Sequence, residues 1–366
     1  MKNIGIYIHV PFCNGKCPYC NFYSVGVNDI LIKNYVNAVK QQIIYWGNKL
    51  KFNADTIYLG GGTPSKLGTD YIIDIISNIR KYFGNNQDEI TIEVNPCDYN
   101  ILDFEKLKFY GVNRISIGAQ SIHDNELSLL ERKHKVKEII KMIENTRKAK
   151  IDNISMDIML AIPEQNIKSL KKSLNFCIEN NINHISTYML KIEKGTTYFK
   201  IKDSLNLPSE DYEIELYNTT SRYLTANGYN HYEISNFCKS NMESKHNLKY
   251  WNYDDYLGIG PSAHSFVDKK RFYYNNSIND FINNPEINLE NNSYSKEEYS
   301  MLRLRLKDGL LNDKFKEIFG LDIPKEYFNR AKKFIECGYI ECNENKIKIT
   351  EKGFLVSNSI ILNIIY

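Results

Sequence analysis

Short runs in which apolar and polar residues alternate recur along the chain, separated by longer stretches whose apolar residues fall at three- and four-residue spacing. The strand-like runs lie at 4–10, 54–59, 89–95, 113–119, 153–161, 183–190 and 229–235. The stretches between them, such as 70–83 and 138–149, read as helices, and Gly84 and Gly111 stand where helices would stop. This βα alternation predicts an α/β fold with a parallel sheet or barrel. Right-handed crossovers would then make all the strands parallel.

Side-chain parity within the strands carries more information than their number. At the N-terminus Ile4, Ile6, Ile8 and Val10 alternate with Gly5, Tyr7 and His9. In 89–96 one face is Ile90, Ile92 and Val94, and the other is Thr91, Glu93 and Asn95. Ile115 and Ile117 oppose Arg114, Ser116 and Gln120, while Asp157 and Ser155 oppose Met156, Ile158 and Leu160. A closed barrel ordinarily fills its lumen with Val, Ile and Leu. A polar inner face therefore predicts a lumen that holds a polar ligand.

Periodicity fades in the Asn-rich stretch 276–294, which reads as a linker between a domain at 1–275 and a smaller one at 295–366. The smaller domain shows helical patterns at 296–307, 313–319 and 325–336, then short strands within 339–350, an order that suggests a winged-helix-like α+β unit. Its 13 Lys+Arg stand against 11 Asp+Glu with no basic stripe, so nucleic acid is not expected as a partner.

The 366 residues have room for one barrel-sized domain and a smaller one, and the formal charge of +3 leaves no basic field for nucleic acid or an anionic bilayer. No run approaches the ~18 apolar residues of a spanning helix, and the N-terminal alternation is not that of a secretory signal. Membrane insertion is thus not expected, and a cytoplasmic protein is. Eight cysteines could form four bridges, but a reducing compartment argues against them. Cys13, Cys17 and Cys20 crowd into one loop after the first strand at C-x3-C-x2-C spacing. Three thiols in so short a loop can hold three irons of a [4Fe–4S] cluster, leaving the fourth open to a small ligand. The alternative is structural zinc with His9 as fourth ligand.

With this loop the sequence resembles the radical S-adenosylmethionine (SAM) superfamily, and more narrowly its oxygen-independent coproporphyrinogen III oxidase group, including that group's haem-chaperone branch. The resemblance runs through HVPFC (9–13), GGGTPS (60–65), EVNP (93–96), NRISIGAQS (113–121), YEISNF (232–237), HNLKYW (246–251), GIGPSAHS (258–265) and MLRLRLKDGL (301–310). It implies a partial TIM-type β/α barrel with a small C-terminal domain, a cluster on Cys13, Cys17 and Cys20, and SAM as cofactor. It also implies that Gly61, Gly62 and Thr63 meet the methionine end of SAM, that Arg132 meets its carboxylate and that Tyr19 lies against its adenine. Glu93, Gln120 and Asp157, on the polar strand faces, and Tyr7, near the cluster, complete the implied SAM set. Cys97, Cys177, Cys238, Cys337 and Cys342 match no ligand pattern and are expected as buried or half-buried thiols.

Two functions fit the resemblance. One is the dehydrogenase, in which a radical from SAM starts decarboxylation of the propionates of coproporphyrinogen III. The other is a haem chaperone, with haem as cargo and apo-haem proteins as recipients. The dehydrogenase carries a fourth Cys two residues after the triplet, where this chain has Phe22, and a longer arm before the cluster loop. HNLKYW is a motif of the chaperone branch, and its His246 offers an imidazole as a haem ligand, with Tyr250 and Trp251 able to pack on a flat macrocycle. The sequence therefore favours the chaperone, without coproporphyrinogen III dehydrogenase activity, and leaves a homodimer open.

Overall fold

A computed structural model describes residues 2–291 and 294–366. Six strands, β1 (Asn3–Val10), β2 (Asn53–Gly61), β3 (Glu89–Val94), β4 (Arg114–Gln120), β5 (Asn153–Leu160) and β6 (His184–Met189), pair in chain order and in parallel. The sequence placed each within about two residues. Their apolar parity faces outward: Ile4, Ile6, Ile8, Ile57, Leu59, Ile92, Ile115, Ile117, Ile154 and Ile158 are fully buried. The crossover helices cover them, as Thr69–Phe83 does with Ile72, Ile75, Ile76 and Ile79. The polar parity faces the lumen. Register puts Tyr7 beside Tyr58, Glu93 beside Ser116 and Asp157 beside Ser186. The chain is a mixed α/β protein built on a large, mostly parallel sheet.

The seventh expected strand corrects the all-parallel reading. β7 (Asn230–Glu233) is joined by two residues to β8 (Asn236–Cys238), so the two can only form a hairpin, and β8 lies antiparallel to β6. After it the chain crosses the lumen's base through the helix Lys245–Asn252 and returns as β9 (Tyr256–Ile259), parallel to β1. β10 (His264–Val267), β11 (Lys270–Tyr274) and β12 (Ile287–Leu289) extend that side antiparallel. Twelve strands in the order β12-β11-β10-β9-β1-β2-β3-β4-β5-β6-β8-β7 leave the barrel open at β12 and β7.

The stretch expected as a linker, 276–294, holds a helix, Ile278–Asn283, and the edge strand β12; its residues 292 and 293 lie outside the described residues. Its Asn-rich polarity hid both, because an edge strand and a surface helix bury little. Beyond it come the helix Lys296–Arg303, the short strand β13 (Leu310–Leu311), the helices Asn312–Phe319 and Lys325–Glu336, and the strands β14 (Ile340–Asn343) and β15 (Lys346–Ile349), the three strands forming a small sheet in the order β13-β15-β14. This unit joins the barrel through the Lys307 N–H to the Tyr232 carbonyl and through Glu298, which accepts from Tyr253 and Arg271. Among the described residues no helix is long and apolar enough to cross a membrane.

Candidate functional site

The carboxyl ends of β2 to β6 and the loop after β1 enclose a cavity of about 690 Å³. The loop is pinned at its root, where the Cys13 N–H donates to the Val25 carbonyl and the Val25 N–H to that of Pro11. Cys13, Cys17 and Cys20 are free thiols and all three line the cavity, as do Tyr19, Gly61, Gly62, Thr63, Glu93, Gln120, Arg132 and Asp157. The structure thus gathers eleven sequence-predicted residues around one space. Tyr7 and His246 are not among its walls.

Each wall residue is positioned by local chemistry. Gly61 has φ +109°, and a Cβ on Gly62 would meet the carbonyl oxygens of Phe12 and Val10 at 2.8 and 2.9 Å, so only glycine lets the turn come this close to the cysteine loop. Glu93 braces that turn: one oxygen accepts from the Gly61 N–H at 3.1 Å and the other from the Tyr58 hydroxyl at 2.8 Å. Thr63 Oγ1 lies 3.6 Å from the Cys13 thiol. The Arg132 guanidinium donates to Asn95 Oδ1 at 2.8 Å and the Gly118 carbonyl at 2.7 Å, and its Nη1 is 3.6 Å from the Cys17 thiol. The guanidinium is therefore a fixed cation beside the cysteines, although its charge-rich segment ELSLLERKHK (126–135), taken singly, reads as a solvated helix face. Asn95, Gly118 and Tyr58 are supporting residues that sequence reasoning missed, although Asn95 shares the polar parity of Glu93.

Burial, reinforced by the neighbouring Glu93 carboxylate and partly offset by Arg114, pushes Asp157 up to about 7. Glu93 is also raised by burial, against its two hydrogen bonds. Two carboxylates in one polar wall favour a cationic or hydroxyl-rich ligand. Gln120, at φ +69° where the β4 register shifts, holds a buried Oε1 with no partner among the described residues. A buried acceptor left open in this way fits a bound donor. The donor set suits the expected groups: three thiols for a cluster, and a guanidinium, carboxylates and bare glycine backbone for an amino acid-bearing nucleoside. Among the described residues no three such side chains converge on one point for a single ion. A cube offers its irons at separate corners, so thiols spread along one wall remain compatible with it.

The pattern of the radical SAM superfamily matches residues 7–177, and that of the HemN C-terminal domain matches 297–356. The chain is 32% identical over 370 residues to the heme chaperone HemW of Bacillus subtilis (strain 168), covering 97% of each chain. It is 35% identical over 370 residues to the heme chaperone HemW of Buchnera aphidicola subsp. Schizaphis graminum (strain Sg), covering 98% of this chain and 97% of that one. This chain belongs to the HemW family of the radical SAM superfamily. Among solved structures, coproporphyrinogen III oxidase (HemN) of Escherichia coli superposes with a TM-score of 0.84 over 100% of this chain and 90% of that one at 19% identity, a likeness of fold.

Within the HemW-family frame the expected haem ligand needs correction. His246 is 0% exposed on the helix across the lumen base, with Nδ1 2.8 Å from Thr56 Oγ1 and Nε2 2.9 Å from the Tyr250 hydroxyl. Glu89 caps the same helix through the N–H groups of Lys245 and His246, and Lys249 pairs with Asp55. Both imidazole nitrogens are committed, so HNLKYW acts here as a plug that holds the barrel floor. His246→Ala is expected to cost about 2–4 kcal/mol of stability, read by denaturant or thermal melting, because it opens a cavity and strands two buried hydroxyls. An unchanged melting curve would count against the plug. Of the remaining thiols, Cys177 and Cys238 are buried and Cys342 half-buried as expected. Cys97 is half-buried and joins the cavity wall, whereas Cys337 is exposed, contrary to expectation, because its helix end faces solvent.

Proposed function

We propose that this chain is a haem chaperone: it holds haem as cargo and passes it to apo-haem proteins, on a scaffold that carries a [4Fe–4S] cluster and SAM. The observation that supports this reading most directly is full-length similarity to heme chaperones combined with Phe22 at the position of the dehydrogenase's extra cysteine. Phe22 is 63% exposed on the cavity wall and has no thiol to offer a cluster or a reacting porphyrinogen. Cys13, Cys17 and Cys20 would hold the cluster, which when bound supplies one-electron chemistry at its open iron. Arg132 would hold the SAM carboxylate, and the Gly61-Gly62 backbone and Thr63 its methionine end. Glu93 keeps that turn in place, while Asp157 and Gln120 accept from ammonium or ribose hydroxyl donors. Tyr19 covers the adenine side. Tyr7, whose hydroxyl is 3.0 Å from His9 Nδ1, acts from beneath by orienting the His9 ring, whose Nε2 lies 3.4 Å from the Tyr23 carbonyl just beyond the cysteine triplet. The working location is the cytoplasm, with haem and apo-haem proteins as partners and neither nucleic acid nor membrane insertion involved.

The test is to reconstitute the cluster anaerobically and to measure haem binding and coproporphyrinogen III decarboxylation on the same sample. A Soret band on haem addition with no vinyl product is expected. Steady turnover of coproporphyrinogen III would overturn the reading in favour of the dehydrogenase.

A further inference from the structure

A haem carrier needs an iron ligand whose lone pair faces an accessible space, and the histidines of this chain differ sharply in that respect. His9, His134, His184, His231 and His246 are buried, and the Nε2 of each is already within hydrogen-bond distance of a protein oxygen. His123, half-buried, has its Nε2 3.0 Å from the Ser169 carbonyl. His264 stands apart, with a side chain 59% exposed, its Nδ1 3.2 Å from Glu290 Oε1, and no partner at Nε2 among the described residues.

The GIGPSAHS motif, which the SAM cavity leaves unused, puts this imidazole in a fixed place. A Cβ on Gly258 would stand 2.2 Å from the His264 carbonyl oxygen, and one on Gly260, at φ +126°, 2.5 Å from that of His9. The Gly258 N–H donates to Ser265 Oγ at 3.0 Å, and Ala263 is buried. The turn is thus pressed against the root of the cysteine loop, four residues before Cys13, and delivers His264 to the first position of β10. Tyr273 lies directly opposite on β11, and its ring stacks on the imidazole at 5.1 Å and 24°. A carboxylate at Nδ1 selects the tautomer with its proton there, which leaves the Nε2 lone pair outward and makes it a stronger donor to a metal. Aromatic stacking below the ring limits its rotation.

We propose that His264, held by Glu290 and Tyr273, is the axial ligand to the iron of bound haem. The assignment rests on the haem-carrier reading above and deepens it by naming the residue that binds the cargo. Nε2 of His264 forms the coordinate bond to iron, Nδ1–H stays with Glu290, and no oxidation or proton loss is required.

The experiment titrates ferric haem into the reconstituted full chain and follows the Soret band, with cluster content and thermal melting recorded on each sample. His264→Ala, a change at an exposed position, should keep cluster and fold, shift the Soret band and weaken haem binding by about tenfold or more. Free imidazole added to that variant should restore the band. Glu290→Gln should retain haem but raise its reduction potential, because a less basic imidazole stabilises ferric iron less well. A His264→Ala protein with the spectrum and affinity of wild type would overturn the assignment alone. A wild-type protein with no haem-dependent Soret band would overturn the carrier reading and the assignment with it.

Discussion

Replacing Cys13, Cys17 and Cys20 together with alanine is expected to remove the iron–sulfur cluster completely, from four irons per chain in the reconstituted protein to none. The reason is geometric. These thiols alone share one short loop, all three face the cavity, and the loop root is fixed by the Val25 hydrogen bonds. Cys97 also lines the cavity, but burial, with the Asp98 carboxylate beside it, pushes its thiol up to about 11, which disfavours the thiolate that iron needs. Its side chain should not rescue the triple variant. Iron analysis and visible absorbance after anaerobic reconstitution read the result, and a variant retaining four irons would place the cluster elsewhere. The fold should survive, because none of the three belongs to the buried core.

The second large effect lies at Asp157, where binding and stability should move in opposite directions. Its carboxyl is held up to about 7, against about 4 in the unfolded chain, so the folded state retains a proton that the unfolded state has lost. Between these values stability falls as pH rises, and above about 7 the full cost of a buried carboxylate beside Glu93 is present. Asp157→Asn removes this cost, so the ligand-free variant should melt higher than wild type at pH 8 and differ little at pH 4. At pH 8, where the wild-type carboxyl is ionised and only accepts, the same change introduces a donor in place of one acceptor, and SAM affinity should drop by about 5- to 150-fold, equivalent to ~1–3 kcal/mol. Melting curves at the two pH values and equilibrium SAM binding check both halves. Unchanged SAM affinity would count against a ligand held in the lumen.

Much of this arrangement was legible beforehand because it is local. The two-residue period of β3, β4 and β5 separated Ile90, Ile115 and Met156 from Glu93, Ser116 and Asp157, and in a sheet that period fixes which side chains share a face. The C-x3-C-x2-C spacing needs no tertiary contact to keep three thiols within one loop. Arg132 joined the site only by resemblance, since its own segment looks like a solvated helix. Its hydrogen bonds to Asn95 and the Gly118 carbonyl arise from strands that precede it by 14 to 37 residues.

The sequence by itself determined the positions of the six parallel strands, the polarity of the lumen face and the cysteine loop. The tertiary structure decided where the chain stops being parallel, because β8 lies antiparallel to β6 and β9 returns beside β1, and both partners are distant in sequence. It also decided the fate of the histidines. An imidazole beside aromatic residues has one pattern in sequence whether it plugs a barrel or meets a ligand, and burial with both nitrogens occupied distinguishes the first at His246. At His264 the deciding partner is Glu290, 26 residues away, and no local spacing encodes a carboxylate brought to one ring nitrogen by strand pairing.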